Sequence, residues 1–178
     1  MDLTGKKVLF VVADKNFRDE ELFEPKSVLE NYGVKISVAD VSGKEARGML
    51  GGRIEINITI EKVNVNDYDA IIFVGGSGST IYWNNKIALN IAKESFLKGK
   101  VIASICLASG TLANAGIFRE KNATGWPDTK KLVEDNGGTY TGKDLEINGR
   151  VISAKGPSAA KIFGEAVAKA LVKNLGKE

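Results

Sequence analysis

The sequence predicts an α/β fold of the flavodoxin-like kind, a three-layer sandwich with a mostly parallel sheet, helices on both faces and a small β-hairpin excursion. Three observations predict it. Short continuous apolar runs stand at residues 7–13 (KVLFVVA), 69–74 (DAIIFV) and 101–105 (VIASI), as expected of central parallel strands covered on both faces. Segments of helical character separate the strands. Clusters of glycine and small residues follow the second and third runs, where such a sheet places its ligand site beyond the carboxyl ends of the strands.

Along the chain, residues 7–13 open the sheet after a charged pair. Residues 14–32 carry acids early (Asp19, Glu20, Glu21, Glu24) and apolar Leu22, Val28, Leu29 and Tyr32 before Gly33, which reads as a loop followed by a helix. Residues 34–41 supply the second strand of a βαβ unit. Residues 43–60 hold four glycines and then the alternation Ile54, Ile56, Ile58, Ile60, the pattern of a β-hairpin or edge excursion. The strand at 69–74 ends in Gly75-Gly76-Ser77-Gly78. A helix over 87–97 leads to the strand at 101–105, and small residues from Leu107 onward begin a tightly packed helix. Residues 128–136 form a helix behind Pro127, 140–153 hold two short strands about a turn at Asn148-Gly149, and an amphipathic helix over 157–175 closes the chain.

With 178 residues, 43% of them hydrophobic, the chain suffices for one well-cored domain over 1–178. No run approaches the roughly 20 apolar residues of a membrane span, and no cleavable leader pattern opens the sequence. A single cysteine forms no internal disulfide, so a cytoplasmic setting is expected, and the Asn-x-Thr sequons at Asn57 and Asn122 then have no use. The net charge of +3 is spread along the chain, which gives no sign of nucleic-acid capture. Most informative is the absence of histidine: it removes Ser-His-Asp triads, Cys-His dyads and the usual zinc sites, and a homo-oligomer cannot restore them.

Cys106 sits where the strand at 101–105 meets the following helix, the turn that presents a serine in α/β-hydrolases, although the G-x-S-x-G glycines are missing. Unpaired N–H groups at a helix start favour thiolate over thiol. A lone cysteine also serves as a small buried hydrophobe, and both readings stand on sequence alone. The glycines after residue 74 match neither a dinucleotide nor a P-loop pattern, so no nucleotide cofactor is expected. Gly76 N–H instead pairs with Leu107 N–H as an oxyanion hole, or the glycines form a plain tight turn. Without histidine a carboxyl is the remaining proton carrier. Glu21 is placed for this, although acids at a helix start also suit the dipole alone; if buried, its pKa rises toward neutrality. Asp14, after the first strand, has no acidic neighbour to make a phosphoacceptor site.

The pieces KVLFVVA with RDEELFEP, DAIIFVGGSGS, VIASICLASGTLANAG, ATGWPDTKKLVEDNGG and ISAKGPSAAKIF, in this order, resemble the DJ-one/ThiJ/PfpI superfamily over nearly the whole chain. The resemblance implies a flavodoxin-like fold and a homodimer or higher homo-oligomer with a reactive cysteine at the elbow; as the missing motifs and histidines already suggest, no cofactor or metal is expected. It matches Cys106 to the nucleophile, Glu21 to the acid that hydrogen-bonds it, and Gly76 and Leu107 to the backbone donors. Arg53 resembles the pocket arginine, Trp126 stands where many members place a histidine, and Gly75 and Pro157 belong to the pocket. Members named intracellular peptidases carry Cys-His where this chain has Cys106-Leu107. The DJ-one-like members imply glyoxalase III or deglycase chemistry on a small carbonyl substrate or glycated amino group, or oxidative-stress sensing through the cysteine, with neither nucleic acid nor membrane as partner.

Overall fold

A computed structural model describes residues 1–172 of the chain. In chain order the elements are β1 Lys7–Val11, β2 Lys15–Phe17, α1 Asp19–Asn31, β3 Lys35–Asp40, β4 Glu45–Gly48, β5 Arg53–Glu55, β6 Ile58–Thr59, β7 Ala70–Phe73, α2 Lys86–Leu97, β8 Val101–Ile105, α3 Ser109–Asn114, β9 Asn122–Ala123, α4 Lys130–Asp135, β10 Thr139–Tyr140, β11 Leu145–Asn148, β12 Val151–Ala154 and α5 Ala160–Val172. The predicted end of the last helix, at Leu175, lies outside the described residues. Among them no helix is long and apolar enough to cross a membrane.

Seven strands form one sheet in the order β11-β12-β8-β7-β1-β3-β6. Its pairings are parallel except between β11 and β12. The apolar runs are continuous because both faces of the sheet are covered. Alternate side chains of β1 point to opposite faces: Val8 and Phe10 join Leu22 and Leu29 of α1 and Phe163 and Val167 of α5 in one core. Leu9 and Val11 join Ile91 of α2, Leu112 of α3 and Val133 of α4 in the other. These four β1 side chains are fully buried; Lys7, which opens the strand, is exposed.

The predicted excursion is present as the antiparallel pair β4-β5, with β2 added in parallel beside β4. The alternation at Ile54 to Ile60 is not one strand, however. Ile54 belongs to β5, whereas Ile58 belongs to β6 at the edge of the main sheet beside β3. Asn57 makes the crossing possible: Val38 N–H donates to its Oδ1 at 2.8 Å and its own N–H donates to Val38 O at 2.9 Å. A side chain that supplies a missing ladder bond ends one pairing and starts another.

Three further differences bear on the site. The segment before α1, expected as loop, contains β2. The helix expected from Leu107 begins as a tight 3-10 turn over Cys106–Ala108, and α3 proper starts at Ser109. A two-stranded pair, β9-β10, escaped prediction because each strand has only two residues. The expected hairpin is present as β11-β12, with its loop one residue later than expected, at Gly149 and Arg150, because Asn148 still pairs with Val151.

Candidate active site at the strand-to-helix elbow

β8 delivers Cys106 at the carboxyl edge of the sheet with φ +61°, a left-handed conformation that costs a non-glycine residue about 1–3 kcal/mol. The surroundings hold it there. Trp126 N–H donates to Cys106 O at 3.2 Å, and Trp83 Nε1–H donates to Leu107 O at 2.8 Å. Behind the elbow, Ser104 Oγ and Ser109 Oγ lie 2.9 Å apart, Ser109 Oγ donates to Thr124 O at 2.9 Å, and Thr124 N–H donates to Ser153 Oγ at 3.0 Å. Buried hydroxyls thus tie β8, α3 and β12 to the segment carrying Trp126.

Glu21, in the first turn of α1, is fully buried and faces the thiol. Neither carboxyl oxygen reaches a partner at full hydrogen-bond geometry, although the Cys106 thiol and Gly75 N–H are the polar groups turned toward it. Desolvation therefore dominates and pushes Glu21 up to about 8, as expected for a buried carboxyl. At pH 7 it holds its proton.

The expectation for the sulfur is corrected. Cys106 is pushed up to about 12, first by burial and then by negative charge and hydrogen bonding from Glu21. The backbone N–H groups of Leu107 and Gly76 pull the other way. A helix start does not hold this thiol ionised, because the turn at 106–108 precedes α3 and only 6% of the residue meets solvent. Once Glu21 is protonated, however, its charge no longer opposes the thiolate, and its O–H becomes a donor to sulfur. The two groups act as a unit that gives up one proton between them.

A cavity of about 180 Å³ opens over the sulfur. Of the expected residues, Cys106, Glu21, Gly76, Leu107, Trp126 and Pro157 line it. Gly75 lies beneath: a Cβ there would overlap Glu21 Oε2 and stand 2.6 Å from Ile105 O and 2.7 Å from Cys106 Cβ. Gly76, at φ +105°, presses its Cα against the backbone of 16–18, where a Cβ would sit 2.5 Å from Asn16 O; glycine alone permits both conformation and approach. Gly75→Ala is expected to lower stability by about 1–3 kcal/mol through overpacking. It should also lower turnover by displacing Glu21 from the sulfur; urea unfolding and a rate assay check both.

Arg53, expected in the pocket, is not among its lining residues. It projects from β5 with its side chain 60% exposed, 3.7 Å from Glu45, since the hairpin turns that position outward. Arg18 supplies the basic group instead, with Met49 and Ser77 completing the wall. Met49 reaches the mouth because Asp19 grips its hairpin: Leu50 N–H and Gly52 N–H donate to Asp19 at 2.8 and 2.7 Å. The signal for Arg18 was its place as the single base opening an acidic run; nothing local marked Met49. Larger hollows elsewhere, including a groove of about 480 Å³ between Met1, Ile147 and α5, are not lined by the cysteine.

With this geometry in view, a family model described as the DJ-1/PfpI family matches residues 6–170. An uncharacterized protein of Methanocaldococcus jannaschii (MJ0967) is 44% identical over 176 residues, 97% of this chain and 86% of the relative. Deglycase PH1704 of Pyrococcus horikoshii is 30% identical over 152 residues, 85% of this chain and 91% of the relative. The crystal structure of a ThiJ/PfpI domain protein from Brachyspira murdochii superposes with a TM-score of 0.91 at 31% identity, covering 94% of this chain and 98% of that one.

Proposed function

The chain belongs to the DJ-1/PfpI family, and we propose that it is a cysteine-dependent enzyme acting on reactive dicarbonyls or their amino adducts, in the manner of a glyoxalase III or deglycase. One observation carries the proposal: Cys106 and Glu21 face each other in a small cavity while the N–H groups of Gly76 and Leu107 point at the sulfur. Relatives named deglycase, at 26–30% identity, support the same reading. The size of the cavity favours a molecule of a few heavy atoms over a polypeptide.

On methylglyoxal the sulfur adds to the aldehyde carbon. An S–C bond forms, the carbonyl π pair moves onto oxygen, and the thiol proton passes through the Glu21 carboxyl to that oxygen, giving a hemithioacetal. Gly76 N–H and Leu107 N–H stabilise the charge as it develops. Glu21, as carboxylate, then takes the proton from the former aldehyde carbon and returns it to the neighbouring carbonyl carbon, while the hydroxyl proton on the first carbon passes to the oxygen of the second. The first carbon is oxidised to a thioester and the second reduced to an alcohol, so no external oxidant is needed. Water cleaves the S–C bond, and lactate leaves. A carboxyl titrating near 8 has both forms at hand near neutrality, as an acid that must also serve as base requires.

The deciding experiment incubates the protein with methylglyoxal and, separately, with methylglyoxal-treated N-acetylcysteine or N-acetylarginine. Lactate accumulation in proportion to protein, or recovery of the free amino compound or thiol, is expected. Neither product above the protein-free blank overturns the proposal.

A further inference from the structure

We infer that Arg18 makes the Cys106 cavity selective for carbonyl compounds that carry a carboxylate within two carbons of the atom the sulfur attacks. The inference deepens the proposed function and rests on its assignment of Cys106 as the nucleophile. Arg18 is the single lysine or arginine that lines the cavity. Its backbone is fixed from below, since Arg18 N–H donates to Gly75 O at 2.9 Å. Its guanidinium is fixed from outside: Nε and Nη2 donate to the two carboxyl oxygens of Glu20 at 2.8 and 3.1 Å.

This ion pair has a direction. Glu20 is not part of the cavity wall, whereas Arg18 is; with side chains 30% and 32% exposed, the pair sits at the solvent edge of the cavity with Arg18 as its wall member. Glu20 occupies the Nε–Nη2 edge, and among the described residues Nη1 has no protein acceptor. A guanidinium held by one edge is pre-organised for a second carboxylate at its free corner. Nothing else in the cavity competes. The remaining side chains there are apolar or neutral (Met49, Trp126 and Pro157 among them), the backbone donors of Gly76 and Leu107 add partial positive charge, and Glu21 keeps its proton at pH 7. A carboxylate therefore meets favourable groups along the cavity wall, with Glu20 behind the guanidinium as the one nearby opposing charge, whereas an ammonium meets a like charge on the wall itself. Methylglyoxal with its methyl carbon replaced by a carboxylate, or an amino adduct of such an oxo-aldehyde acid, fits both the nucleophile and the cation.

The test uses two alkylating agents of similar shape, iodoacetate and iodoacetamide, on the full-length protein. In each reaction the S–C bond forms, iodide leaves and the thiol proton passes to buffer. The measured quantity is the ratio of the two Cys106 alkylation rates, in which any general change in thiol reactivity cancels. The ratio is expected to fall about tenfold in Arg18→Gln, the scale of one charge-assisted contact, to be largely held in Arg18→Lys, and to rise in Glu20→Gln, where the guanidinium is released. Equal ratios in native protein and Arg18→Gln overturn the inference. Should the thiol resist both reagents, titration with acetate followed by the chemical shift of the Trp126 indole N–H decides. A saturable shift lost in Arg18→Gln supports the inference, and no saturable shift in native protein overturns it. Because neither readout needs turnover, a failed lactate assay beside a changed ratio would reject the catalytic reading while leaving the anion site standing.

Discussion

Cys106→Ser is expected to lower lactate production from methylglyoxal at least about a thousandfold, or roughly 4 kcal/mol of lost transition-state stabilisation. A serine hydroxyl holds its proton far more tightly than a thiol, and this place has no base strong enough to remove it. The chain contains no histidine, and the one carboxyl facing the position is itself protonated below about 8. Sulfur tolerates that poverty because it is intrinsically the better nucleophile and because its anion is stabilised by two backbone donors. The substitution is also clean structurally. Serine bears the same cost of the left-handed backbone at φ +61° and removes little volume, so thermal unfolding should shift by only a few degrees. A serine protein that retains more than a tenth of the native rate would move the chemistry to another group.

Glu21→Gln should produce the largest change in how stability depends on pH. The folded-state value of Glu21, about 8, lies above its ordinary 4.5. Between these two values the folded protein keeps a proton that the unfolded chain has released. The contribution of this carboxyl is therefore present in full below pH 4.5 and is lost as pH rises toward 8, by about 3–5 kcal/mol across the window. Glutamine does not titrate. Urea unfolding at pH 5, 6.5 and 8 should show the native protein losing stability relative to the variant at each step. Parallel curves would mean that the carboxyl is ionised throughout. Turnover should also fall in the variant, by about a hundredfold or more, since the amide relays no proton.

Much of the scaffold was legible because burial on both faces of a sheet leaves a plain mark. The runs at Val8–Val11, Ile71–Phe73 and Val101–Ile105 are apolar but for Ser104 and buried throughout, and each became a central strand. The elbow was legible for the same reason, since a strand must end where such a run ends. Less legible was whatever depends on residues far apart in the chain. Ile58 continues the alternation of Ile54 yet joins a different sheet, and what separates them is an asparagine bonded to Val38. Met49 reaches the cavity through a carboxylate on α1, and Arg53, opposite Arg47 across the β4-β5 hairpin, turns away from it. The ionisation of the sulfur was misjudged for a related reason. Position at a helix start is a local property, whereas the degree of desolvation around Cys106 and Glu21 is set by α1, β7 and β12 together.

The two tryptophans of the chain grip successive carbonyls of the elbow, Trp83 through its indole N–H on residue 107 and Trp126 through its main-chain N–H on residue 106. One indole is partly covered and the other is 42% exposed at the cavity mouth. The protein thus carries its own pair of optical reporters on either side of the reactive turn: emission from the outer ring follows occupancy of the cavity, and emission from the inner ring follows displacement of the turn itself. With each ring kept alone in a variant that replaces the other by phenylalanine, ligand arrival and backbone rearrangement can be timed separately by stopped flow, with no added dye.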